Sequence, residues 1–149
     1  MISQPLRLTR LGDVEFFKRG KRKGVKMGNK SKQETESAVS EAMTKFLKEQ
    51  MGEQAEAVIT QVVGDTIIVR FKGVLPPAER HLAKAQEGVK LMKELKLKLI
   101  ERAKPLLEVM IRNLTDAEVI DIHSSFNVET GERVEVFTLD KDLEKTCQA

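Results

Sequence analysis

The stretch GVLPPAERHLAKAQEGVKLMKELKLKLIERAKPLLEVMIRNLTD, residues 73–116, decides the fold. Leu82, Ala85, Val89, Met92, Leu95, Leu99, Ala103, Leu106, Met110 and Leu114 fall three or four positions apart along it. Only a helix places such a series on one side. Pro76 and Pro77 suit a helix start, where amide hydrogens have no intrahelical partner to lose, and Glu79 complements the dipole of the first turn. Gly88 weakens the helix interior by ~1 kcal/mol relative to alanine. A break there is expected, leaving a short helix from Pro77 to about Gln86. Pro105 removes the hydrogen bond to the Glu101 carbonyl, so a kink is expected near Glu101. A second stripe, Val89, Ile100, Leu107 and Ile111, runs beside the first. Read plainly, it widens the core face. Read more sharply, it meets a second copy of the chain, which predicts a homodimer held by this helix.

The elements around it follow from local pattern. Ser31 with Glu34 forms a capping box opening a helix over Lys32 to Gln50, and Gly52 is a natural stop. Its apolar face is Thr35, Val39, Ala42, Met43, Phe46 and Leu47. Ala57 to Val63 and Thr66 to Val74 read as strands joined by a tight Gly64-Asp65 turn. Ala117 to Val128 and Arg133 to Leu139 read as a second hairpin. In its first strand Ile120, Ile122, Ser124, Phe126 and Val128 share one face, and Asp121, His123, Ser125 and Asn127 share the other. The order αββαββ predicts an α+β fold: a four-stranded, mostly antiparallel sheet with a long, kinked helix packed on one face. One domain is expected over residues 31–142, with residues 143–149 a frayed tail.

Composition narrows the function classes. The 149 residues include one cysteine, Cys147, six phenylalanines, and neither tryptophan nor tyrosine. A lone cysteine cannot form an intrachain disulfide, which fits a reducing cytoplasm. No apolar run approaches the ~18 residues that cross a bilayer. Residues 1–32 hold ten Lys or Arg against two acids, a net +8, so with +3 for the whole chain the rest carries −5. The folded part is therefore acidic and poor in stacking rings, which argues against nucleic acid as a partner. Residues 1–30 form a basic leader with three readings. It is an arm for nucleic acid or anionic lipid, a plain disordered tail, or, for residues 1–26, untranslated sequence ahead of a start at Met27, since the codons of Lys23–Lys26 can hold a ribosome-binding sequence.

Motifs for chemistry are sparse. His81, His123 and Cys147 lack metal-ligand spacing, and neither a phosphate loop nor a nucleophile elbow occurs, so no cofactor is expected. Asp121, His123 and Ser125 superficially form a triad. As alternate residues of one strand they stand ~7 Å apart, too far for a relay that needs hydrogen bonds. His123 is therefore expected to recognise a ligand or partner rather than act as a general base. The candidate binding residues are Glu79, Asp121, His123, Ser124, Ser125, Glu132 and Arg133. Glu132 and Arg133 are expected to order the last hairpin by pairing with nearby charges. No catalytic residue is assigned.

The segments GVLPPAERHLAKAQEG, RAKPLLEVMIRNLTDAEVIDIHSS and TGERVEVFTL together resemble the MpsC-like bacterial domains, long described only as a domain of unknown function. The resemblance covers about Ser37 to Asp140. Two departures stand out: Gly52-Glu53-Gln54-Ala55 where the family usually has Gly-Arg-Gly-Pro, and Ser125 where it usually has Asp. The family's link to a sodium-translocating, membrane-potential-generating system implies a non-enzymatic cytoplasmic accessory or regulatory domain beside an ion-translocating membrane complex. The alternative is a small-ligand or nucleotide sensor using the His123 face.

Overall fold

The computed structural model describes residues 31–74 and 76–146. The leader and its three readings, and Cys147, lie outside the described residues.

Helix α1 spans Lys32–Met51 and begins on the expected capping box. Ser31 Oγ accepts from the Glu34 amide at 3.1 Å, and Glu34 Oε1 accepts from the Ser31 amide at 3.0 Å. Such a cap contributes ~1 kcal/mol. Gly52 ends the helix at φ 65°, a left-handed conformation that costs a residue without Cβ little. The six residues expected on the buried face are the six that are buried.

Strands β1 (Ala57–Val63), β2 (Thr66–Lys72), β3 (Val119–Asn127) and β4 (Glu132–Leu139) form one sheet in the order β1-β2-β4-β3, antiparallel throughout. Three cross-strand rows face the helices. Val62, Ile67, Phe137 and Ile122 make an apolar row; Thr60, Val69, Glu135 and Ser124 the next; Val58, Phe71, Arg133 and Phe126 the third. Helix α1 lies over β1, and the long helix over β3. The opposite face carries Ile59, Ile68, Arg70, Val134, Val136, Asp121, His123 and Ser125, and Arg70 Nε meets Glu132 there at 2.8 Å. Glu132 thus ties β4 to β2, not to its hairpin partner β3.

Between β2 and β3 run the short helix α2 (Pro77–Leu82) and the long helix α3 (Gln86–Thr115). The break falls at residues 83–85, just ahead of Gly88, which lies in the first turn of α3. At ~1.5 Å per residue its thirty residues rise ~45 Å. The helix runs through Pro105 without interruption.

The structure corrects three expectations. First, Ile100, Leu107 and Ile111 are 3 %, 0 % and 0 % exposed, in the core of their own chain, and Val89 packs on the small cluster of Met92 and Val128. Ile100, Leu107 and Ile111 join Met92, Leu106 and Met110 of the first stripe in one wide core face, and these three offer no surface to a partner. Leu82 and Leu95, assigned to the core stripe, are about half exposed instead. Second, a bulge between Val119 and Asp121 gives β3 one extra residue against β4. Ile120 is turned out to 65 % exposure, away from the face of Ile122. Third, the segment after residue 142 does not begin frayed. Leu143 is buried, its amide donates to the Gly64 carbonyl at 2.9 Å, and helix α4 (Leu143–Thr146) follows. Glu144 accepts from the Gly64 amide and pairs with Lys32 at 2.9 Å, which holds its carboxyl below its usual range and raises the Lys32 ammonium.

Candidate functional site

The helix-facing side of β4 alternates Arg133, Glu135, Phe137, Leu139, and all four are buried. Charged side chains are almost never buried this fully unless they are paired. Arg133 is 1 % exposed and Glu135 0 %. The elements packed above supply partners. Lys96, 2 % exposed on α3, bonds Glu53 Oε2, and its ammonium lies 2.8 Å from Glu79 Oε1 on α2. Glu53 stands directly after the Gly52 cap, so the left-handed turn that ends α1 delivers its carboxylate inward. Its other oxygen lies 3.6 Å from Arg133 Nη2. Phe126 of β3 takes both cations against its ring, with Lys96 Nζ 5.6 Å and Arg133 Cζ 5.8 Å from the centroid, within cation–π reach.

Three carboxyls and two cations therefore share the interior. Fully ionised they would leave one negative charge buried at high cost. Burial pushes the Glu135 carboxyl up to about 7, against the Ser124 hydrogen bond and the charges of Arg133 and Lys104, which pull it down. With that proton on Glu135 these five groups sum to zero, the half-buried Lys104 lying outside the count. Both Arg133 Nη nitrogens are buried without a hydrogen-bond partner, as is Glu135 Oε2. Beside the centre a cleft of about 440 Å³ is lined by Lys48, Gly52, Glu53, Gln54, Gly73, Val74 and Pro76. Glu53 belongs to both, so it is the wall between the cleft and the cations.

Of the residues singled out from sequence, Glu79, Ser124 and Arg133 meet at this centre. Glu132 lies on the opposite face with Arg70. Asp121, His123 and Ser125 also lie there, exposed, His123 opposite Val136. Sequence reasoning missed Glu53, Lys96 and Glu135. The signal for Glu135 was present, since alternation puts it in phase with Phe137 and Leu139. Lys96 sits four residues from both Met92 and Ile100, but a lysine in an apolar stripe reads as solvated.

The chain is an α+β domain with helices on one face of an open sheet and an ionic centre between the layers. Its sequence matches the family described as Na+-translocating membrane potential-generating system (MpsC) over residues 31–141, and the chain belongs to that family. It is similar to "Uncharacterized protein YbcI" of Bacillus subtilis (strain 168), 36 % identical over 119 residues, which is 80 % of this chain and 96 % of that protein. No solved structure matches significantly.

Proposed function

We propose that the chain is a non-enzymatic cytoplasmic accessory domain working beside an ion-translocating membrane complex. The observation that carries this reading is membership of a family whose description names a membrane system, in a chain where no described helix is long and apolar enough to cross a membrane. On this reading translocation belongs to other subunits, and this domain supplies binding or regulation. The test is affinity isolation of the tagged native chain from detergent-solubilised, cross-linked membranes. Recovery of subunits of an ion-translocating complex is expected. Membranes that retain none of the chain at native expression would overturn it.

A second reading, a small-ligand sensor, is favoured by the ionic centre, where Arg133 is buried with neither Nη nitrogen hydrogen-bonded. Buried donors of this kind normally find a protein or water partner. A thermal-shift screen against nucleotides and metabolites tests it, since a ligand of the native state raises the melting temperature.

A further inference from the structure

Helix α2 buries none of its six residues. It reaches the buried centre through the 2.8 Å ion pair between Glu79 and Lys96. Glu79 keeps 27 % of its side chain exposed, whereas Lys96 at the other end keeps 2 %. A carboxylate has thus been laid onto a buried ammonium from outside, by an element that contributes nothing to the core. Leaving would cost α2 little apolar contact.

What would remain is unbalanced. With Glu79 in solvent and Glu135 protonated, the single carboxylate of Glu53 faces Lys96 and Arg133, a net charge of +1. Both Arg133 Nη nitrogens lack a hydrogen-bond partner, the Glu53 carboxylate standing off at 3.6 Å. A guanidinium presents a planar fork that fits a carboxylate or phosphate, and an ammonium beside it adds a second charge-assisted bond. The cleft that ends at Glu53 is bounded by Gly73, Val74 and Pro76, the segment that leads into α2. Lifting α2 would extend that cleft toward Lys96.

From this arrangement we infer that Glu79 occupies the place of a small anionic ligand, a carboxylate or phosphate, which enters by the cleft beside Glu53, displaces Glu79 and is held by Lys96 and Arg133. Glu79 is a built-in competitor, so ligand binding and release of α2 are one event. The affinity of the ligand for the open state sets how far α2 is released. This inference deepens the sensor reading and is independent of the accessory role. A chain that responds to a nucleotide but not to simple anions would keep the sensor and lose this site.

The experiment titrates acetate, succinate and inorganic phosphate into the full chain by calorimetry and thermal shift, against sodium chloride at equal ionic strength. Comparing the three probes separates carboxylate from phosphate recognition. Removing the competitor in Glu79→Ala should tighten binding of the preferred anion about tenfold, equivalent to ~1.4 kcal/mol. Adding Arg133→Gln should abolish it. Should that double variant not fold, a pH series on folded Glu79→Ala replaces it. Glu135 is faced by Ser124 on β3, Arg133 on its own strand and Lys104 on α3. As Glu135 ionises, the centre falls from +1 to neutral, so acetate binding should weaken from about pH 6 to about pH 8. A folded Glu79→Ala that binds none of the anions, or binds them no more tightly than the parent chain, overturns the inference. So does acetate binding that is independent of pH.

Discussion

A Cβ built on Gly88 would run into the carbonyl oxygen of Leu82 and lie 2.9 Å from its carbonyl carbon. Gly88 is what lets the end of α2 close against the first turn of α3. Two effects oppose each other in Gly88→Ala. Alanine improves helix propensity by ~1 kcal/mol, whereas forcing backbone apart in a packed site costs ~1–3 kcal/mol. The obstacle includes backbone, so the clash wins. A urea melt should show Gly88→Ala less stable than the parent, with α2 more accessible to protease.

Lys96 serves two carboxylates at once. Lys96→Met keeps the length of the side chain but leaves Glu53 and Glu79 facing each other without the ammonium. Removing one partner of a buried pair costs ~3–5 kcal/mol. Adding Glu53→Gln should recover part of that loss, a coupling read by a double-mutant cycle of urea midpoints.

Ile100→Glu with Leu107→Glu should unfold the chain. Both side chains are buried among the core residues, and an unpaired carboxylate there is costly. The observable is loss of cooperative melting by circular dichroism. A folded double variant would place the two residues on the surface.

That correction shows what was legible in the sequence. The helices, hairpins and antiparallel order follow from caps, tight turns and periodicity, which act locally: the Ser31–Glu34 box and the Gly64 turn are formed by residues within three positions of each other. The rotation of α3 was less legible, because its core face draws residues from both apolar stripes and includes a charged residue, Lys96. The centre was least legible. Glu53, Glu79, Lys96 and Arg133 come from three elements and the turn after α1, and acquire meaning only when packing removes their water. The bulge that turns out Ile120 is likewise a property of pairing with β4.

His123 offers a contrasting case. It lies exposed on the sheet face away from the helices, with Val136 as its cross-strand neighbour. His123→Ala should change stability by no more than the ~0.5 kcal/mol typical of surface sites. A larger loss in a urea melt would give the imidazole a structural role.

The neutrality of the centre rests on one proton, on Glu135. Its carboxyl is raised from 4.5 to about 7 by burial. The folded state therefore holds a proton that the unfolded chain releases between those values, and stability falls as pH rises through that window. The stabilisation is fully present below about pH 4.5 and is lost as pH passes about 7. At 1.36 kcal/mol per unit the swing is of order 3 kcal/mol. Glu135→Gln, which imitates the protonated form, should abolish this decline and be the more stable chain at about pH 8. The most direct measurement is a carbon-detected NMR titration of the side-chain carboxyls, with Glu135→Gln supplying the assignment. A Glu135 resonance with a midpoint near 7, absent from the variant, is expected. A Glu135 carboxyl that titrates in the ordinary range near ~4.3 would contradict it.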